Sequence, residues 1–269
     1  EGINLVEATH HNQCVLFAGK GSREQSVGQR CAVNYLSLYD NKILRKFRGH
    51  NDEITSISMN PADDTFLTAS ADRTIRLWDL QKAGCVAQLD LPSSTEGKPL
   101  AVLDSTGLVF GVSARKRAGQ GQYIHLYDAR NYSGGAFAEM IVSNSSIEKI
   151  LPRDQSMLSQ SEWTSLSFNA AGNQMLATGK NGLALILDGF DGTVQRNLSA
   201  TGTTCACFTP DDKTVLAGNV DGTIGCWNVA TGALLKKLEG HPSRINCVVA
   251  NPKYAMFASC CTNTALWIW

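Results

Sequence analysis

The sequence predicts an all-β chain organised as a β-propeller, on three observations. A unit of about 40 residues recurs from one end of the chain to the other. Each unit divides into four short runs of β-forming residues separated by turn signals. No helical stretch interrupts these runs, so the units read as four-stranded blades rather than as βαβ crossovers.

The period is set by a large apolar residue near the end of each unit's third run. These anchors are Tyr39 in YLSLYDN, Trp78 in RLWDL, Tyr127 in YIHLYDA, Leu187 in LALILDG, Trp227 in TIGCWNV and Trp267 in NTALWIW, spaced 39, 49, 60, 40 and 40 residues apart. The two long intervals mark loop insertions. Within a unit the first strand closes on a Pro or Asp turn, as in ITSISMN before Pro61 and TCACFT before Pro210. The second follows as TFLTAS, QMLATG, TVLAGN or AMFASC. A tight turn comes next, at Asp72-Arg73, Asn181-Gly182 or Asp221-Gly222. Asn-Gly and Asp-Gly adopt the positive φ that two-residue hairpins need. The third strand carries the anchor, and a fourth ends the unit, as in ILRKFRGH, CVAQLDL, GTVQRNL and LLKKLEGH. One domain is expected over 1–269, with inner strands near 2–40, 52–79, 98–128, 162–188, 203–228 and 244–269 and an insertion at 143–161.

Bulk composition excludes several classes. Lys+Arg and Asp+Glu both number 24, so charge alone gives no general affinity for a nucleic-acid backbone, and direct nucleic-acid binding is not expected. No apolar run reaches the roughly 18 residues of a membrane-spanning helix, and no membrane partner is expected. Nine cysteines lie mostly in apolar runs with no Cys-x-x-Cys pair, which reads as a reduced, intracellular chain without a disulfide framework. The five histidines form no zinc-ligand spacing, and no phosphate-binding Gly-rich loop is present. Cys205 and Cys207 alternate on one strand, which suits core packing. No metal, no cofactor and no catalytic residue is expected, and the chain is read as not an enzyme.

The Gly-His to Trp-Asp grammar of residues 49–79 resembles the WD-repeat family over the whole chain. NYLSLYDNKILRKFRGH, SMNPADDTFLTASADRTIRLWDL, CFTPDD and NPKYAMFASCCTNTALWIW resemble one branch of it in particular. That branch is the WD-repeat subunit shared by the COMPASS histone lysine methyltransferase complex and a nuclear phosphatase assembly of mRNA 3′-end processing. The resemblance implies seven blades, so that six are recognisable here and the N-terminal blade precedes Glu1; a six-bladed ring with an imperfect seam is the alternative. It implies a non-catalytic scaffold in a nuclear complex of chromatin regulation and transcription. Protein partners follow, a phosphorylated RNA polymerase II tail among them, with a cytoplasmic pool left open. A substrate receptor for a cullin ubiquitin ligase competes, through Asp128-x-Arg130 after Tyr127. So do a cytoplasmic scaffold propeller and a propeller hydrolase.

A histidine near a serine and an aspartate also suggests nucleophilic chemistry. Here His50, Ser70, Asp72 and Trp78 read instead as a brace that satisfies buried polar groups and ties loop to sheet. The set decays elsewhere: His241, Ser259 and Trp267 remain in the sixth unit with Cys261 at the aspartate position, and Asp221 and Trp227 remain in the fifth. Candidate binding residues lie in enlarged basic loops, Lys20, Arg23 and Arg30 in the first unit and Arg115, Lys116 and Arg117 in the third, with Arg73 of the second unit between them. Arginine forks suit phosphate, so a phosphopeptide or acidic partner is expected there. The 143–161 insertion is expected to hold a short helical turn or a loop for partner contact.

Overall fold

The structure is a computed structural model that describes residues 2–20, 31–116, 121–199 and 202–268. It is all-β, with six blades. Four consecutive antiparallel strands make each of five sheets: β1(Gly2–Ala8) to β4(Lys42–Phe47), β5(Ile54–Met59) to β8(Cys85–Asp90), β9(Thr95–Leu103) to β12(Ala138–Val142), β13(Trp163–Phe168) to β16(Val194–Asn197), and β17(Thr203–Phe208) to β20(Leu234–Glu239). The sixth sheet has three strands, β21(Cys247–Ala250), β22(Met256–Cys260) and β23(Thr264–Ile268).

The chain forms two compact units, Glu1–Ala118 with His125–Glu139, and Gly119–Ile124 with Met140–Trp269. In the first, apolar residues fill the space between successive sheets. Leu16, Val33, Phe47, Ile54, Phe66 and Trp78 form one core. Leu67, Ile75, Leu103, Phe110, Val112 and Tyr127 form the next. The second unit repeats the plan with Leu176, Ile186, Leu198 and Val215, then with Leu216, Ile224, Ile245, Val248 and Phe257. The second strands at Thr65–Ser70, Gln174–Gly179 and Thr214–Asn219 are buried on both faces, which is why they read as nearly continuous apolar runs, whereas burial alternates along Met256–Cys260 of the sixth sheet.

Neighbouring sheets are also stitched by polar contacts along their inner strands. Ser56 Oγ donates to the Ala101 carbonyl at 3.1 Å and accepts the Ala101 N–H at 2.9 Å, while Ser58 Oγ accepts the Leu103 N–H at 3.0 Å. Small hydroxyls on β5 thus satisfy backbone groups of β9 that no strand partner reaches.

The hairpin turns adopt the left-handed backbone that the turn residues suggested. Asn181 has φ 64° and Gly182 φ 100°, and Gly222 has φ 82°. In the second sheet Arg73 takes this conformation at φ 64°. The insertion forms α1(Asn144–Glu148), capped by Ser143, whose side chain accepts the Ser146 N–H, followed by a 3-10 turn at Arg153–Gln160. Ser159 donates to Glu148 at 2.8 Å and ties the two together.

One anchor is corrected. Tyr39 lies in the turn between β3(Val33–Ser37) and β4 and is 82% exposed. The register shift at the anchor falls between Leu77 and Trp78, Ile186 and Leu187, and Cys226 and Trp227, and in the first sheet it falls between Tyr35 and Leu36. Leu36 is therefore the structural counterpart of Trp78. An extra Tyr-Asp in the turn mimicked the motif three residues late.

Candidate functional site

The second sheet shows why a Gly-His precedes a blade that ends in Trp. Gly49 passes so close to the sheet that a Cβ there would lie 2.3 Å from an Arg76 guanidinium nitrogen and 3.2 Å from the Trp78 ring. Close approach, not turn conformation, demands the glycine. His50 then enters the sheet, 2% exposed. Its Nε2 lies 2.7 Å from Thr68 Oγ1, its Nδ1 lies 3.0 Å from Asp72 Oδ2, and the Trp78 indole N–H donates to Thr68 Oγ1 at 2.8 Å. One proton assignment satisfies every member: Trp78 donates to Thr68, Thr68 donates to His50 Nε2, and His50 Nδ1–H donates to Asp72. Asp72 also accepts the N–H groups of Asn51 and Thr74, each at 2.9 Å. Burial opposes ionisation of Asp72, but the hydrogen bonds from His50, Asn51 and Thr74 outweigh it and hold the carboxyl well below the usual carboxylate range.

This corrects one member of the expected set. Thr68, not Ser70, is the hydroxyl between histidine and tryptophan. Ser70 faces the loop instead, donating to the Asp52 carbonyl at 3.0 Å and accepting the Asp72 N–H at 3.2 Å. Both residues lie on β6(Thr65–Ser70) two apart and so share a face, and only the pairing of Phe66 with Trp78 decides which one meets the indole.

The Thr68–His50–Asp72 order has the connectivity of a nucleophile triad, and its chemistry is blocked by its surroundings. An attacking hydroxyl must meet substrate and give its proton to the imidazole. Thr68 is fully buried, and its oxygen already accepts the Trp78 N–H. The arrangement is a brace.

The sixth sheet repeats it with one exchange. His241 Nε2 lies 2.6 Å from Ser259 Oγ, which accepts the Trp267 N–H at 2.7 Å. His241 Nδ1 lies 3.1 Å from Cys261 Sγ, where the second sheet has a carboxylate. A Cβ on Gly240 would lie 2.7 Å from the Trp267 ring, the same close approach as at Gly49.

The fifth sheet departs further. Val215 pairs with Trp227 as Phe66 pairs with Trp78, which places Ala217 at the position of Thr68. With no hydroxyl to receive it, the Trp227 indole nitrogen is buried without a hydrogen-bond partner. The ring leans over Gly225 instead, where a Cβ would come within 2.6 Å of Nε1. Asp221 remains, held at about 2 by the Thr223 hydroxyl and Lys237, but it reaches no histidine. Gly225→Ala is expected to push the indole off its seat and cost about 1–3 kcal/mol in urea unfolding. Adding Ala217→Ser recovers part of that loss by restoring the missing acceptor. A double variant no more stable than Gly225→Ala alone would show that the indole does not turn back toward residue 217.

Of the basic residues expected to bind phosphate, Arg73 and Arg115 are placed. Arg73 sits at the turn between β6 and β7(Thr74–Asp79) and donates to the Ser93 carbonyl at 3.2 Å, and Arg115 lies on β10(Val109–Lys116) opposite Glu96. Lys20 and Lys116 end strands β2(Cys14–Lys20) and β10. Arg23, Arg30 and Arg117 lie outside the described residues. Among the described residues no three His, Cys, Asp or Glu side chains are grouped as metal ligands, and no helix is long and apolar enough to cross a membrane.

With this geometry in view, comparison with known proteins is decisive. The WD domain, G-beta repeat, matches residues 41–79, 192–228 and 232–269. WD repeat-containing protein 82 of Drosophila melanogaster is 32% identical over 99% of this chain and 77% of its own length. The chain belongs to the WD-repeat family. COMPASS component SWD2 of Saccharomyces cerevisiae is 28% identical to this WD-repeat protein over 96% of the chain and 75% of the yeast protein. Among solved structures, the computationally designed Ika8 protein shares the fold with a TM-score of 0.66 at 18% identity, over 99% of this WD-repeat protein and 71% of the designed chain.

Proposed function

We propose that this WD-repeat protein is a non-catalytic scaffold subunit of a nuclear complex that modifies chromatin, as the counterpart of the yeast COMPASS component. The likeness to that component across 96% of the chain carries the reading. The braces support it: the imidazole–hydroxyl sets that would attract a catalytic interpretation serve to hold loops onto sheets, which leaves rigid surfaces as the working parts. Within this reading the partners are subunits of a histone lysine methyltransferase or of a nuclear phosphatase assembly acting in mRNA 3′-end formation. Arg73 and Arg115 contribute to a cationic surface for a phosphorylated polymerase tail.

Affinity purification of the intact protein from nuclei, followed by mass spectrometry, tests this. Methyltransferase or phosphatase subunits are expected in the eluate. Recovery of neither, or recovery of a cullin-ligase adaptor in their place, would overturn the assignment. For the tail, a phosphorylated peptide is expected to bind more tightly than its unphosphorylated form, and charge reversal at Arg73 and Arg115 is expected to abolish the difference.

A further inference from the structure

The second and sixth sheets act as an internal comparison. In the second, the acceptor for His50 is a carboxylate that stays ionised and receives four hydrogen bonds. The slot is built for an anion. In the sixth the β22–β23 hairpin is shorter: hydroxyl and tryptophan are separated by 8 residues instead of 10. The turn residue that reaches His241 Nδ1 is then Cys261. Its sulfur also accepts the Asn263 N–H at 3.3 Å and lies 3.7 Å from the Thr262 hydroxyl. The imidazole is aligned from behind by Ser259 and Trp267, so Nδ1–H points at the sulfur. The negative form of this thiol is thus the form its surroundings satisfy.

Exposure and position add to this. Cys261 opens a turn whose next residues, Thr262 and Asn263, are exposed, so reagents reach it from solvent. The Asn263 N–H above all, with the Thr262, Ser243 and His241 side chains, outweighs burial and brings the thiol down to about 6. Burial acts the other way at Cys207, raising it to about 12; Cys247 is itself more exposed than Cys261, yet the atoms packed around its sulfur, with Cys205 and Cys260, raise it to about 11. Cys261 is thus brought down where Cys85, Cys205, Cys207, Cys226 and Cys247 are all raised.

We propose that Cys261 is a modification site that forms mixed disulfides with small-molecule disulfides, with His241 as its positioning residue. The Cys261 thiolate bonds to one sulfur of the disulfide, and the reagent's own S–S bond breaks. The second sulfur departs as a thiolate that takes a proton from water. Cys261 is oxidised, and the released small thiol is the reduced product. The modified sulfur carries no charge and accepts poorly, so His241 loses its Nδ1 partner and the loop leading into β21 loses its tie to the hairpin.

The test is iodoacetamide labelling of the intact protein across a pH series, and separately incubation with oxidised glutathione, each mapped by peptide mass spectrometry. Cys261 is expected to label at least about ten-fold faster than Cys247 near neutral pH and to carry the glutathione adduct first. Cys261→Ser is expected to remove the fast phase. His241→Gln is expected to raise the pH midpoint of that phase. Cys261→Asp restores the second sheet's acceptor and serves as the folded control, keeping the wild-type unfolding midpoint while losing the fast phase. Equal labelling of Cys261 and Cys247, or a first adduct on another cysteine, would overturn the proposal. An unchanged midpoint in His241→Gln would overturn the pairing with the histidine.

Discussion

Replacing Trp78 by alanine is expected to remove about 3–5 kcal/mol of folding stability, the range for deleting a fully buried aromatic side chain. Trp78 is fully buried and packs against Phe47 at 5.7 Å and Phe66 at 6.4 Å between ring centroids. The cavity would open where the first and second sheets share their core. The loss is also more than apolar: the Thr68 oxygen would no longer receive the indole N–H that fixes its orientation toward His50. Trp78→Phe separates the two contributions. It keeps most of the buried area and forfeits the hydrogen bond, so a loss nearer 1 kcal/mol is expected. Urea unfolding followed by circular dichroism reads both variants. If Trp78→Ala and Phe substitution proved equally mild, the packing account of this anchor would fail.

Asp72→Ala is expected to cost about 2–3 kcal/mol near neutral pH, because it strands the buried His50 donor and removes the acceptor of three further donors. His50 Nδ1, the Asn51 N–H and the Thr74 N–H and hydroxyl all point at this carboxylate. The effect carries a pH signature whose sign follows from the lowered carboxyl. The unfolded chain takes up its proton at about pH 4 while the folded chain still resists it. The stabilisation is therefore complete above that pH and fades as the solution becomes more acidic. The gap between wild type and Asp72→Ala should narrow below about pH 4, whereas above it the two curves should run parallel. A gap that stayed constant into acid would mean that the carboxylate's charge contributes nothing to the brace.

Much of this architecture was legible in the chain. Turn pairs such as Asn181-Gly182 and Asp221-Gly222 declare hairpins because few residues tolerate positive φ, and both turns have it in the structure. Gly49-His50 and Trp78 mark the ends of a sheet because they touch, and the same contact recurs in the sixth sheet between Gly240-His241 and Trp267. The family was readable from the same signals. Other features were not. Tyr39-Asp40 imitates an anchor that Leu36 occupies, because a turn insertion and a strand motif look alike until strands are paired.

Residue order alone determined the number of sheets, the order of strands within each and the places of His50, Asp72 and Trp78 in the brace, since these depend on local backbone preference and on a repeating period. Tertiary structure decided which atoms meet. Thr68 and Ser70 share one face of one strand, so periodicity treats them alike, and only cross-strand register gives the indole to Thr68. The same holds for Trp227, which leans onto Gly225 for want of a hydroxyl at residue 217, and for Cys261, which a hairpin two residues shorter carries into a position that elsewhere holds a carboxylate. Hydrogen bonds act over about 3 Å, and a single step of register is longer than that.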